Sequence, residues 1–257
     1  MSDTEAAEVL TEVDGNVLIV TINRPAAKNA MTKAAAEGIS AAMDRLEANP
    51  DLRCAILTGA GGTFCSGMDL KGFLRGESPS VPGRGFGGLS QWTPNKPVIA
   101  AVDGYALAGG MELALSCDLI VANASSKFGI PEAKRGLSAA AGGLIKLPRQ
   151  IPPRIAMELA LTGDFITAQR AYELGFINQI SEGPSLDAAK ALASRIAENG
   201  PLALIASKAI VRDSHEWTEA EMWDKQASYI APVFGSADAR EGAAAFAEKR
   251  KPNWQGK

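Results

Sequence analysis

Short apolar runs recur along the first half of the chain at the lengths expected for buried strands. Two runs rich in β-branched residues between Val9 and Ile22 flank Asp14-Gly15-Asn16, a strong turn signal that predicts a hairpin. Further apolar runs occupy residues 54–58, 98–102 and 119–122, and each is followed by turn or loop residues. These runs predict the strands of a largely buried sheet.

Helical spacing appears between and after these runs. Thr32 is a candidate N-cap for a helix that should end near Asn49-Pro50, and a second helix is expected after Gly109-Gly110. From Pro153 onwards the pattern is mostly helical, with predicted helices at 153–163, 167–175, 185–199, 202–212 and 218–230. Helices that alternate with short strands predict an α/β layered fold.

One segment, 72–95, differs from the rest because it is rich in Gly, Pro and Ser. Such a composition offers little apolar surface to bury. We therefore expect a mobile loop beside the functional site.

Composition narrows the class of protein. The 257 residues carry a net charge of -3 with no polybasic run, which argues against a nucleic-acid partner. Cys54, Cys65 and Cys117 have no metal-ligand spacing and are expected to be reduced thiols. The acidic start lacks a signal-peptide pattern and acidic residues interrupt the most apolar stretch, 98–122, so a cytoplasmic protein without a membrane span is expected.

The segment 102–115 is the first candidate for chemistry. A buried run ends there, the chain turns, and Gly109-Gly110 open a helix whose first turn contains Glu112. Glycines allow close approach to a ligand, and free N–H groups at a helix start can stabilise an oxyanion. An acidic residue in a first turn can also simply complement the helix dipole.

The segment 62–71 offers a second set of donors. The Met68 amide could bind a thioester oxygen, and Asp69 stands where a helix could start. Ser66 or Cys65 could instead be a nucleophile, but Phe64 replaces the first glycine of a G-x-S-x-G elbow. His215, the only histidine, lies far along the chain and is expected at the surface.

Two further glycine- or proline-marked segments complete the candidates. Pro131-Glu132 predicts a helix or turn entry, and Gly142-Gly143 should open another helix. The run 59–62 follows a strand and could suggest a nucleotide-dependent oxidoreductase, although G-x-G-x-x-G fails at Phe64.

Taken together, the chain resembles the enoyl-CoA hydratase (crotonase) family over nearly its whole length. Five segments carry the resemblance, and their order and spacing fit, including the 20-residue step from Glu112 to Glu132. The segments are INRPAAKNAM at 22–31, GTFCSGMDLK at 62–71, VDGYALAGGMELALSCD at 102–118, FGIPEAKRG at 128–136 and FAEKRKP at 246–252.

The resemblance implies a site and a fold. The amides of Met68 and Gly109 would form an oxyanion hole, and Glu112 and Glu132 would hold a water molecule and move its protons. Residues implied to bind the substrate and its CoA moiety are Lys28, Met68, Asp69, Leu70, Lys71 and Gly109, with Phe246 and Lys249 reaching a neighbouring subunit's CoA. The implied fold is a ββα spiral core over 1–200 and a C-terminal helical region over 201–257 that builds a homotrimer or a dimer of trimers.

The implied activity is reversible hydration of an enoyl-CoA, with CoA as part of the substrate, no separate cofactor and no metal. Two departures bear on it: Ala108 replaces a glycine of many hydratases, a mild change, and 139–143 replaces the usual P-G-x-G-G run near the acyl pocket. The stretches 145–163 and 246–254 are more similar to carnitinyl-CoA dehydratase-like members. Such a dehydratase, an enoyl-CoA isomerase and a non-catalytic CoA-thioester-binding protein therefore stay open as alternatives.

Overall fold

The computed structural model describes residues 7–257, so the acidic start at 1–6 lies outside the described residues. The strands are β1 (Val9–Asp14), β2 (Val17–Ile22), β3 (Cys54–Gly59), β4 (Ser80–Val81), β5 (Gly85–Phe86), β6 (Val98–Val102), β7 (Tyr105–Leu107), β8 (Leu119–Asn123), β9 (Lys127–Gly129), β10 (Ile166–Thr167) and β11 (Gln179–Ser181).

Ten α-helices accompany these strands in the described part of the chain. They are α1 (Lys33–Ala48), α2 (Leu70–Leu74), α3 (Gly109–Ala114), α4 (Gly143–Gln150), α5 (Pro153–Thr162), α6 (Ala168–Glu173), α7 (Ser185–Ala197), α8 (Pro201–Asp213), α9 (Met222–Phe234) and α10 (Ala237–Ala247). Pro131–Arg135 forms a 3-10 helix. The predicted α/β class is confirmed, with the helices concentrated after residue 143.

A six-stranded sheet in the order β1-β2-β3-β6-β8-β11 forms the main layer. The first hairpin is antiparallel, and every later neighbour in this sheet is parallel. A smaller sheet has the order β10-β9-β7. The units β6–β7–α3 and β8–β9 each place their first strand in the main sheet and their second strand in the smaller one. This repeated two-strand turn is the spiral that the sequence resemblance implies.

Both faces of the main sheet are buried along its central strands β2, β3, β6 and β8, as a parallel sheet requires. Side chains alternate along β2: Leu18 and Val20 enter the larger core with α1, and Val17 and Ile19 pack in a second core with α7. α1 begins as predicted, because the Thr32 side chain accepts a hydrogen bond from the Ala35 amide.

The prediction that 72–95 cannot bury itself is wrong for its second half. Residues 85–90 are buried, and β4 and β5 form a small hairpin there. Gly88 makes this possible, since a Cβ at that position would lie 2.5 Å from the Ala36 carbonyl oxygen of α1. Arg84 fixes the segment further by pairing with Asp44 and lying over the Trp92 ring. Few apolar residues suffice because glycines let the backbone itself pack closely.

The last helices also differ from the sequence prediction. α9 begins at Met222 rather than at Thr218. The reason is a turn before the helix, in which the Glu221 carboxylate accepts hydrogen bonds from the amide and the hydroxyl of Thr218. It continues through Pro232, and α10, which the sequence analysis does not predict, follows with Ser236 as its N-cap. The predicted boundary between a 1–200 core and a 201–257 region falls between α7 and α8 and stays a prediction.

Candidate active site

A cavity of about 870 Å³ lies where the turns of the spiral meet. Six predicted site residues line it: Lys28, Met68, Leu70, Gly109, Glu112 and Glu132. They come from segments that are up to 104 positions apart in the sequence (28 to 132). The fold therefore gathers both predicted amides and both predicted carboxylates around one space.

The backbone at Met68 is oriented by a parallel bridge to Met31. The Met31 amide donates to the Gly67 carbonyl at 2.7 Å, and the Asp69 amide donates to the Met31 carbonyl at 3.0 Å. In such a parallel bridge Met31 pairs with the residues on either side of Met68, so the N–H and C=O groups of Met68 itself point away from Met31. The Met68 amide has no protein acceptor within residues 7–257 and is left for a ligand in the cavity.

The second amide is that of Gly109, the first residue of α3. An amide at this position has no partner inside its own helix, and it finds no protein acceptor elsewhere in the described chain. The glycine is required sterically, because a Cβ would lie 2.3 Å from the Phe86 ring. Gly110 is equally constrained, since its Cβ would meet the Cys65 carbonyl oxygen at 2.1 Å.

Ala108, which precedes this helix, is not the mild replacement that the sequence suggests. Its backbone has φ 52° and ψ -129°, a region that favours glycine. The Ala108 amide donates to the Gly129 carbonyl at 2.9 Å, which holds the residue against β9. The turn that presents the Gly109 amide is thus fixed at a cost in backbone strain.

Glu112 is almost completely buried, with 2% of its surface exposed. Its Oε1 accepts hydrogen bonds of 2.8 Å from the amides of Ala141 and Gly143. Burial raises the pKa of this carboxyl, while the two amides and the charge of Lys146 act in the opposite direction. These donors specifically stabilise the ionised form of Glu112.

Glu132 has a different environment on the same cavity. Its Oε2 is buried and makes no hydrogen bond to any described residue. Burial, with the charge of Glu112 as a smaller cause, raises the pKa of Glu132 to about 7. A carboxyl with such a pKa can keep its proton near neutrality, whereas the carboxylate of Glu112 is stabilised by two amide donors, so the two side chains have unlike surroundings.

The remaining predicted contacts divide into those near the cavity and those away from it. Lys28 lies with its ammonium 5.6 Å from the Tyr105 ring centre at the wall of the cavity. Asp69 and Lys71 flank the lining residue Leu70 in the sequence but do not line the cavity themselves. Phe246, 88% exposed, and Lys249 lie at the end of α10, also outside its wall. Binding roles for these four residues stay predictions.

Nucleophilic catalysis finds little support in this geometry. Cys65 is buried, and burial raises the pKa of its thiol to about 12. Ser66 lines the cavity, but His215 is exposed and does not. Gly59 precedes a 3-10 turn rather than an α-helix, and a Cβ on it would lie 2.1 Å from the Thr63 carbonyl oxygen, so the segment 59–62 offers no helix start to a pyrophosphate.

Several lining residues are absent from the sequence prediction. Most are apolar or aromatic, and their approach to the cavity depends on the tertiary fold; they include Phe73 of α2, Phe86 of β5, Tyr105 of β7, Leu137 and Phe165. Within residues 7–257 no cluster of three or more His, Cys, Asp or Glu could hold a metal ion. In the same range no helix has both the length and the apolar character needed to cross a bilayer.

Comparison with known proteins gives consistent matches over the whole length. The sequence profile described as enoyl-CoA hydratase/isomerase matches residues 12–257. Enoyl-CoA hydratase EchA19 of Mycobacterium tuberculosis is 44% identical over 256 residues, covering 96% of each chain. Carnitinyl-CoA dehydratase of Proteus mirabilis is 40% identical, covering 95% of this chain and 96% of its own. A crystal structure of an enoyl-CoA hydratase from M. tuberculosis H37Rv superposes with a TM-score of 0.96 at 56% identity, covering 98% and 100% of the two chains.

Proposed function

Because this chain belongs to the enoyl-CoA hydratase/isomerase family, we propose that it is an enoyl-CoA hydratase that adds water reversibly across the 2,3 double bond of a CoA thioester. The observation that carries the proposal is the placement of two unlike glutamates and two acceptor-free amides on one cavity. The protein is an enzyme on this reading, and its substrate is an acyl-CoA.

The amides of Met68 and Gly109 would bind the thioester oxygen as an oxyanion hole. Two donors on this oxygen make the β-carbon electrophilic and stabilise the enolate that forms when water attacks. Each preorganised donor contributes roughly 3 kcal/mol at such a transition state. Both donors are held by backbone constraints, and no side chain has to move to form the hole.

The two glutamates would share the proton transfers. Glu112, whose ionised form accepts two amide hydrogen bonds, takes a proton from the water as its oxygen bonds to the β-carbon. The electrons of the double bond move through the α-carbon to the thioester oxygen. As they return, Glu132 gives its proton to the α-carbon, and the two carboxyls exchange one proton to restore the starting state. The net change is the addition of one water.

Substrate contacts and assembly extend the proposal. Lys28, Leu70, Asp69 and Lys71 would lie along the CoA moiety, and Phe246 and Lys249 would contact the CoA of a neighbouring subunit in a trimer or a dimer of trimers. No electrons leave the substrate, so neither a redox cofactor nor a metal is part of the proposal. A cytoplasmic location is also proposed. Light scattering at micromolar concentration should give three or six times the 26.8 kDa chain mass, and a monomer would refute the assembly.

A second candidate is a carnitinyl-CoA-type dehydratase, favoured by the 40% identity to the Proteus mirabilis enzyme. It uses the reverse reaction, elimination of water, for which the same pair of carboxyls is suitable. An isomerase needs only one carboxyl, and a non-catalytic thioester-binding protein needs none, so the retention of both disfavours these alternatives.

The test is loss of the conjugated-thioester absorbance when the protein is added to crotonyl-CoA. A panel of short, long, branched and β-hydroxylated or betaine acyl-CoAs then assigns the acyl group. Turnover of a conjugated enoyl-CoA supports the hydratase. Exclusive turnover of the carnitine thioester supports the second candidate, and absence of any turnover with retained CoA-thioester binding would overturn both.

A further inference from the structure

Arg24 makes an unusually complete set of contacts for a residue outside the cavity. Its guanidinium pairs through Nε with Glu8 at 2.8 Å and through Nη2 with Asp69 Oδ2 at 3.0 Å, and Nη1 donates to the Ala30 carbonyl. Only 19% of the side chain is exposed. All three guanidinium nitrogens therefore have a partner, which a lysine at this position could not reproduce.

Two of these contacts lie on either side of the bridge that orients the predicted oxyanion donor. Ala30 precedes Met31, and Asp69 follows Met68. The guanidinium thus links the two backbone segments of the bridge next to the hydrogen bond from the Asp69 amide to the Met31 carbonyl. Loss of this link would free the segment that carries the Met68 amide.

Asp69 connects the same ion pair to the wall of the cavity. Its Oδ1 accepts hydrogen bonds from the amides of Lys71 and Gly72 and so caps α2. α2 carries Leu70 and Phe73, which line the cavity. The two oxygens of one carboxylate therefore have separate functions, one toward the helix and one toward Arg24.

We propose that Arg24 and Asp69 are positioning residues that hold the Met68 amide in the geometry needed to stabilise the thioester oxyanion, an inference that rests on the proposed hydratase function. The physical reason is the narrow tolerance of such a donor, which must be held within about 0.5 Å of its productive position. The contacts of Asp69 also change its expected role, since its carboxylate is directed to Arg24 and to α2 rather than to a ligand.

Asp69→Asn is the sharpest variant, because asparagine caps a helix as well as aspartate does but carries no charge for Arg24. Arg24→Met removes the guanidinium, and Arg24→Lys retains a charge without the three-way contact. The matched control is Lys208→Met, which breaks another partly buried ion pair, with Asp118 at 2.6 Å, away from the cavity.

Each variant is assayed for enoyl-CoA hydration and for the absorbance red shift of a bound, slowly reacting β-aryl enoyl-CoA, which reports polarisation of the thioester carbonyl. We expect Asp69→Asn and Arg24→Met to lower kcat by about 10- to 100-fold, the effect of a donor displaced by a fraction of an ångström to an ångström. The red shift should decrease in parallel, KM should change little, and the double variant should be no worse than Arg24→Met. Compared with Arg24→Met, Arg24→Lys should regain more of the thermal stability than of kcat.

Lys208→Met should lower thermal stability and leave both kcat and the red shift unchanged. A folded Asp69→Asn protein with a normal kcat and a normal red shift would overturn the inference. So would losses that simply follow the fraction unfolded, as in the control. If the unaltered protein bound the probe with a red shift but hydrated nothing, the proposed function would fail while the red shift still tested the positioning role.

Discussion

The Gly143 amide, at the first position of α4, donates a 2.8 Å hydrogen bond to Glu112 Oε1. Free amides at a helix start carry a partial positive charge and favour an anion. A Cβ on Gly143 would lie 3.1 Å from the same oxygen, a tight contact that the Glu112 side chain would have to relieve by a small shift. Among residues 7–257, no comparable donor faces Glu132 Oε2. The difference between the two environments is the basis for proposing Glu112 as the base and Glu132 as the acid.

Replacing either glutamate should therefore remove a step of the reaction. Glu112→Gln and Glu132→Gln each retain the shape of the side chain but cannot exchange the proton. We expect kcat for enoyl-CoA hydration to fall at least about 100-fold in each variant, the typical contribution of a positioned acid or base. Steady-state kinetics with crotonyl-CoA or the preferred substrate is the measurement.

The double variant supplies the internal check. Because both groups act on the same protons, its loss should be far smaller than the product of the single losses. CoA product affinity should stay near that of the unaltered protein. Glu158→Gln, an exposed glutamate on α5, is the matched control and should retain full activity. Near-full hydratase activity in either active-site variant would point to a single-carboxyl enzyme such as an isomerase.

Apolar runs mark most early strands locally and a glycine pair marks Gly109, whereas the roles of Met68, Glu112 and Glu132 are predicted from the family resemblance. The sequence does not predict that Phe86 covers Gly109, since this contact joins a glycine-rich segment to a helix 23 positions away. The role of Asp69 is missed for the same reason: its partner, Arg24, is 45 positions distant. Such contacts form only when successive turns of the spiral pack on one another.

Ala108 offers a test of stored backbone strain. The positive φ of Ala108 should cost about 1–3 kcal/mol of folding free energy, and glycine adopts that conformation without this cost. Glycine in turn lowers stability by about 0.4–1 kcal/mol, because it raises the conformational entropy of the unfolded chain. Ala108→Gly should therefore leave the free energy of unfolding unchanged or raise it. Ala114→Gly, a helical and buried control on the same helix, should lower it by about 1 kcal/mol or more. Chemical denaturation measures both, and equal destabilisation of the two variants would refute the strain.

The contact between Gly109 and Phe86 predicts a rescue. Gly109→Ala places a methyl group where the Phe86 ring lies, 2.3 Å from its nearest carbon. The ring or the helix start must shift, so we expect kcat to fall by about 100-fold, as for a comparable displacement of catalytic geometry. Adding Phe86→Ala opens space for the methyl group and should restore part of the loss. The same kinetic assay on the single and double variants decides it, and a double variant no better than Gly109→Ala would show that the ring is not the obstacle.

The pKa of Glu132 links activity to pH. Hydration requires its proton, so kcat/KM for hydration should fall as pH rises through about 7, and Glu132→Gln should lack this limb. Dehydration uses the same singly protonated pair, and the overall reaction takes up no proton, so kcat/KM for dehydration should show the same pH dependence. Profiles of both directions between pH 5 and pH 9 make the measurement. A hydration kcat/KM that stays constant between pH 5 and pH 9 would contradict the assignment of Glu132 as the proton donor.

The same group should make the folded state less stable at high pH. Its pKa is raised from 4.5 to about 7 on folding, so between these values the folded chain binds more protons than the unfolded chain, and stability falls as pH rises. Above pH 7 the ionised, desolvated carboxyl destabilises the fold, whereas glutamine has no charge to bury. Glu132→Gln should therefore have a higher Tm than the unaltered protein at pH 8, with the difference shrinking toward pH 5. A Tm gap for Glu132→Gln that is the same at both pH values would mean that ionisation of Glu132 is not its cause.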